Sequence, residues 1–164
     1  MRADKDTRHS ESDTRHSESD ARHSESDAGL TDDIDTRRTK ESDSRRTVLV
    51  VDDFDDTRLL LRTWFERRGF RVIEAENGLQ AINLAENELP NLIIMDVQMP
   101  QLDGLAATRE IRNVKALRNV PIVAVSAYGA EQFRELALAA GCNEYVSTPF
   151  EPATLEGIVR ALVQ

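Results

Sequence analysis

From residue 47 onward the chain alternates between short unbroken apolar runs and longer segments in which apolar residues recur every three or four positions. The runs Val48-Leu49-Val50-Val51 and Leu92-Ile93-Ile94-Met95 are rich in branched side chains and show no polar alternation. That pattern suits strands buried on both faces of a parallel sheet. The spaced segments suit helices laid across it, joined through right-handed βαβ units. Five strands are predicted, over 47–51, 70–75, 92–95, 121–125 and 144–147. Five helices are predicted between and after them. The first starts near Asp55 or Asp56, either of which can cap, carries Leu59, Leu60, Trp64 and Phe65 as its apolar stripe, and ends at Gly69. The second follows Asn77-Gly78 with Leu79, Ile82, Ala85 and Leu89, and stops at Pro90. The third carries Leu105, Thr108 and Ile111, the fourth Phe133, Leu136, Ala137 and Ala140, and the last Leu155, Ile158, Val159 and Leu162.

Residues 1–46 break this pattern. Leu30 and Ile34 stand alone among polar residues, and there is no aromatic side chain. Such a segment buries too little surface to offset chain entropy, so a disordered low-complexity tail is expected over 1–46, with one folded domain over 47–164. Within the tail, residues 7–13, 14–20 and 21–27 each read (Thr/Ala)-Arg-His-Ser-Glu-Ser-Asp. A seven-residue period invites a coiled coil, but the apolar a and d positions are missing. All three histidines, His9, His16 and His23, lie in these repeats. A solvated tail outweighs metal capture there.

The net charge of −9 divides into −3 for residues 1–46 (10 basic, 13 acidic) and −6 for the rest (11 basic, 17 acidic). Direct nucleic-acid binding is not expected of so acidic a chain. One cysteine, Cys142, excludes an internal disulfide and suits a small buried hydrophobe. No apolar stretch has the length of a membrane span or a secretion signal, so a cytoplasmic protein without membrane insertion is expected.

The chemistry lies where the apolar runs end. Asp52 and Asp53 follow the first, and Asp96 follows the third. In open α/β sheets, residues leaving the carboxyl ends of the strands line the ligand site. Three acids converging there repel one another unless they hold a hard cation or take up protons, and Mg²⁺ is the expected ion.

Four separated motifs then fall in order: Asp52-Asp53; Asp96 with Met99-Pro100-Gln101-Leu102-Asp103-Gly104; Ser126-Ala127; and Tyr145 with Pro149-Phe150. Together they resemble the receiver domain of two-component response regulators, over 47–164. The resemblance implies a flavodoxin-like doubly wound α/β fold with a five-stranded parallel sheet in the order 2-1-3-4-5 and five helices. It implies Asp96 as phosphoryl acceptor, and Asp53, Asp96, Asp52 (through water) and the backbone carbonyl of Gln98 as Mg²⁺ ligands. Ser126 would bond a phosphoryl oxygen, with Tyr145 as the aromatic that changes rotamer with it. The family places a lysine before the proline that follows strand five; Thr148 stands there instead, with a cis Thr148-Pro149 bond expected.

The implied protein is not an enzyme. It is a monomeric, single-domain regulator, phosphorylated by a sensor histidine kinase or phosphotransfer protein and acting on an unidentified protein target through its surface, since the chain stops after the last helix. Thr148 keeps open a degenerate receiver that docks without phosphorylation. A remoter reading takes Asp53-Phe54-Asp55-Asp56-Thr57 as the Asp-x-Asp-x-Thr motif that haloacid dehalogenase-like phosphatases carry, with Ser126 as their second motif. That reading lacks a later lysine and acidic pair, and leaves Asp96 unexplained.

Overall fold

The computed structural model describes residues 44–164. The expected tail therefore lies outside the described residues except at its end. There Arg46 is tied to the folded part: its carbonyl accepts the Arg71 N–H at 2.9 Å, and its guanidinium donates to the Val163 carbonyl.

The elements run β1 (Thr47–Val51), α1 (Asp55–Glu66), β2 (Arg71–Ala75), α2 (Gly78–Glu88), β3 (Leu92–Asp96), α3 (Gly104–Asn113), a 3₁₀ turn (Lys115–Leu117), β4 (Ile122–Ser126), α4 (Glu131–Ala140), β5 (Glu144–Ser147) and α5 (Pro152–Leu162). All strand pairs are parallel, in the order β2-β1-β3-β4-β5. This is the expected flavodoxin-like sheet. Among the described residues no helix is long and apolar enough to cross a membrane.

Because successive strand residues point to opposite faces, the unbroken apolar runs supply two cores at once. Leu49, Val51, Ile93, Met95, Ile122 and Ala124 face one side, where Ala81 and Ala85 of α2, Ala107 and Ile111 of α3, and Ala137 of α4 cover them. Val48, Val50, Leu92, Ile94, Val123 and Val125 face the other, under Leu61 and Phe65 of α1 and Leu155 and Val159 of α5. The β1, β3 and β4 residues in both sets are almost fully buried.

Helix faces differ from the sequence expectation in three places. On α1 the buried positions are Arg58, Leu61 and Phe65, whereas Leu59 and Leu60 are 60% and 71% exposed. Three consecutive leucines span about 200° of the helix, and the one that faces inward, Leu61, shares its face with Arg58 and Phe65. Nor do Asp55 or Asp56 cap α1. Phe54 occupies the cap position without a side-chain bond, and both acids sit in the first turn, where the helix dipole favours negative charge. On α2, Leu79 and Leu89 are exposed and the small side chains of Ala81 and Ala85 make the contact; Leu89 is a left-handed C-cap at φ 47°. On α4, Leu136 is half-exposed and Ala137 and Ala140 face inward.

One clamp on the sheet's lower edge was not evident from sequence. Arg112, near the end of α3, donates from Nε to the Gly141 carbonyl (2.9 Å), from Nη1 to the carbonyls of Leu117 (2.9 Å) and Val120 (2.7 Å), and from Nη2 to Asn143 Oδ1 (3.0 Å). It holds the ends of α3 and α4 and the approach to β4 together without a carboxylate. Hydrogen bonds from a charged donor contribute about 1.5–3 kcal/mol each, and the acceptors left behind add a desolvation cost. Arg112→Met is expected to lower stability by about 2–4 kcal/mol. Urea denaturation monitored at Trp64 checks this; an unchanged midpoint would show that the acceptors are satisfied by water.

Candidate functional site

The site forms at the carboxyl ends of β1 and β3, which pair in register up to Val51 and Met95. Adjacent strand ends therefore deliver Asp52 and Asp53 beside Asp96. One carboxylate oxygen from each lies within 4.8 Å of the others. Asp52 is buried, and its Oδ1 accepts the Phe54 N–H at 2.8 Å, which turns the chain out of the sheet into α1. Asp96 Oδ1 accepts the Gln98 N–H at 3.2 Å. Asp53 Oδ1 is buried and has no hydrogen-bond partner.

The electrostatics follow from this crowding. Burial, then the neighbouring charge of Asp52, pushes the Asp96 carboxyl up from 3.8 to about 7; the Gln98 N–H opposes the shift, and Asp53 adds to it. Asp52 is also raised, first by burial and further by Asp53, against the pull of the Phe54 N–H and Arg58. Arg58 is the nearby cation, but its groups are taken. Nη1 donates to the Asp52 carbonyl at 2.8 Å, Nη2 bonds Asp55, and Glu74 and Glu76 lie at 3.6 and 3.5 Å. Arg58 thus braces the loop after β1 against the end of β2, and the sequence pattern did not single it out. Asp55, the second acid of the Asp-x-Asp-x-Thr reading, has a side chain 87% exposed and bonded to Arg58.

The loop after β3 is closed by backbone proximity. The Gly104 N–H donates to the Val97 carbonyl at 3.0 Å, and Asp103 Oδ1 caps α3 by accepting the Ala106 N–H at 2.8 Å. A cleft of about 640 Å³ opens beside Asp53, with Gln98, Met99, Leu105 and Phe133 among its walls.

Ser126, Tyr145 and Thr148 form a second group at the end of β4. Ser126 follows Val125, the strand partner of Asp96. Its hydroxyl accepts the Tyr128 N–H at 3.2 Å, and its carbonyl accepts the Thr148 N–H at 2.8 Å and the Thr148 Oγ1 hydroxyl at 3.4 Å. Tyr145 is buried, and its hydroxyl donates to the Tyr128 carbonyl. The Thr148-Pro149 bond is cis, as expected. Ser126 and Tyr145 are thus joined through Tyr128, and Thr148 is bonded to Ser126 directly; both links are invisible in the sequence because they use backbone atoms. Thr148 contributes a hydroxyl where the family contributes an ammonium.

An open α/β sheet with an acid triad at its central strand ends defines a receiver-type module. The sequence profile of the response regulator receiver domain matches residues 48–160, and the chain belongs to that family. It is 40% identical over 69% of its length to an uncharacterized 14.6 kDa protein of Leptolyngbya boryana, covering 86% of that protein. It is 34% identical to the polar-differentiation response regulator DivK of Brucella anthropi, covering 93% of that protein and 69% of this chain. A solved receiver domain of a sensor histidine kinase from Pseudomonas aeruginosa superposes with a TM-score of 0.68 at 35% identity, over 73% of this chain and 98% of that one. It is described with a magnesium ion coordinated in its active-site cleft.

Proposed function

We propose that this chain is a phospho-accepting receiver in a two-component relay. In this reading Asp96 takes a phosphoryl group from the phosphohistidine of a sensor kinase or phosphotransfer protein, and output passes through contacts with a protein target. The observation that carries the proposal is the buried, partnerless Asp53 Oδ1 in a cluster of three carboxylates. Such an atom costs free energy unless a ligand meets it. The donor set is all oxygen, which suits Mg²⁺: this ion keeps several waters and needs few protein ligands. Asp52, Asp53, Asp96 and the Gln98 carbonyl would hold it. When bound, it would screen the incoming phosphate from the carboxylates.

The chain's own residues then have defined tasks. An Asp96 carboxylate oxygen attacks phosphorus as the phosphorus–nitrogen bond breaks, and the imidazole leaves with its electron pair. The Gln98 N–H orients the attacking carboxylate. Ser126 would turn its hydroxyl from the Tyr128 N–H to a phosphoryl oxygen, and Tyr145 is the aromatic paired with it across Tyr128. Intact-mass measurement after incubation with phosphoramidate, with and without Mg²⁺, tests the assignment. Mg²⁺-dependent addition of one phosphoryl group is expected, and no addition under either condition would overturn it.

Mg²⁺ also makes a prediction about stability. Asp96 is raised in the folded state, so its contribution is fully present below the ordinary value of 3.8 and is lost as pH rises through about 7. The metal-free domain is therefore expected to lose stability between about pH 4 and pH 8. Millimolar Mg²⁺ should restore it at the upper end, where the carboxylates are charged and bind best. Asp53→Asn should remove most of that gain. A melting temperature unmoved by Mg²⁺ at pH 8 would rule out a metal site.

Thr148 supports a second reading, a receiver that docks on its partner without phosphorylation. Its side chain turns to the Ser126 carbonyl and offers no charge to a phosphoryl group.

A further inference from the structure

The loop between β4 and α4 is held by a residue whose side chain neither reading uses. Tyr128 is fastened at three points. Its N–H donates to Ser126 Oγ, its carbonyl accepts from the Tyr145 hydroxyl, and its ring stacks on Phe133 with centroids 5.2 Å apart and planes 19° from parallel. The first two bonds use backbone atoms that almost any residue would supply. Only the stack depends on the side chain, and the ring is otherwise 49% exposed. Phe133 in turn sits in the first turn of α4, packs against the core beneath the sheet, and walls the cleft beside Asp53. The stack therefore anchors the loop to a rigid helix.

We propose that Tyr128, through this stack, is a positioning residue that keeps the loop where its carbonyl receives Tyr145, so that Tyr145 is held inward independently of the chemistry at Asp96. The proposal rests on the reading of Ser126 and Tyr145 as a two-state element. Two observations carry it. Among the described residues the side-chain hydrogen bond of Tyr145 runs to the Tyr128 carbonyl, and none runs to the acid triad. The residue that would tie β5 to a group on Asp96 is Thr148, which is bonded to the Ser126 carbonyl instead. An aromatic pair of this geometry shifts a two-state ratio by about 2- to 10-fold. That is enough to decide which state dominates.

The chain has two tyrosines. Labelling the full chain with meta-fluorotyrosine in the Tyr128→Phe background therefore leaves one fluorine resonance, that of Tyr145, while the ring stack is kept. The resonance is expected at a buried position and should move little when Mg²⁺ and beryllofluoride are added. In Tyr128→Ala it should shift toward the exposed position, by about 2- to 10-fold in the inward-to-outward ratio, and should then respond to beryllofluoride. Tyr128→Phe combined with Phe133→Leu removes the same stack from the other side and should reproduce the shift. It also serves if the alanine variant does not fold. Identical resonances in Tyr128→Phe and both stack-breaking variants would overturn the proposal. So would a full response to beryllofluoride with the stack intact. If beryllofluoride moves nothing in any variant and Asp96 takes up no phosphoryl group, the receiver reading fails. The ligand-free difference between the variants then decides the role of Tyr128 alone.

Discussion

Asp96→Asn should take up no phosphoryl group from phosphoramidate while folding at least as well as the parent. The amide is nearly isosteric with the carboxylate, and its oxygen can still accept the Gln98 N–H. It is not a comparable nucleophile toward phosphorus, so incorporation should fall to background. The stability change has the opposite sign. Asp96 sits at about 7 because burial and the charge of Asp52 oppose its ionisation. Replacing it with a neutral group removes that repulsion and places an N–H donor near the unsatisfied Asp53 oxygen. Without Mg²⁺ at pH 8, the variant should therefore melt higher than the parent. With Mg²⁺ the order should close or reverse, because the variant has lost a ligand charge. Intact mass and thermal scans in the four conditions check both signs. Incorporation equal to the parent would move the acceptor to another carboxylate, Asp53 first.

The parts of this molecule legible in the sequence are those in which one residue type does one thing. Val48 to Val51 and Leu92 to Met95 are buried on both faces, so their pattern has no ambiguity of side, and β1 and β3 lie where the pattern puts them to within one residue. The acid triad is legible because carboxylates directly after buried strands have few other uses. The strand order came from the family resemblance, since periodicity does not say which strands are neighbours. Helix faces were less legible. Leu59, Leu60 and Leu61 are interchangeable by composition, and the buried face that takes Leu61 also carries Arg58, whose partners Glu74 and Glu76 lie more than a dozen residues away. The Arg112 clamp and the role of Tyr128 were not legible at all. The clamp acts on backbone carbonyls, which leave no mark in residue identity, and the Tyr128–Phe133 stack depends on the path of the loop between β4 and α4.

Gly104→Ala is expected to be the most damaging small substitution in the domain. A Cβ at this position would lie 2.0 Å from the carbonyl oxygen of Asp96, 2.9 Å from its carbonyl carbon and 2.9 Å from Met95 Cγ. The two closest atoms are backbone at the end of a central strand, so they cannot swing aside as a side chain could. The backbone at Gly104 is not left-handed, so the requirement is one of space: the first turn of α3 must touch the strand that carries Asp96. Relieving the contact means either pushing α3 off the sheet or moving Asp96, and the Gly104 N–H bond to the Val97 carbonyl opposes the first. The cost should be about 3 kcal/mol or more, at the upper end for overpacking, with weaker Mg²⁺ binding because Asp96 shifts relative to Asp53. Two other glycines calibrate the result. Gly157, in α5, has nothing within 4 Å of a built Cβ, so Gly157→Ala should stabilise by up to about 1 kcal/mol through helix propensity. Gly69 also has open space but sits at φ 84°, so Gly69→Ala should cost about 1 kcal/mol from backbone strain alone. Urea midpoints should therefore rank Gly157→Ala, parent, Gly69→Ala and Gly104→Ala from most to least stable. If Gly104→Ala matched Gly69→Ala in stability and kept the parent's Mg²⁺ affinity, the close contact between α3 and the Asp96 backbone would not be what positions Asp96.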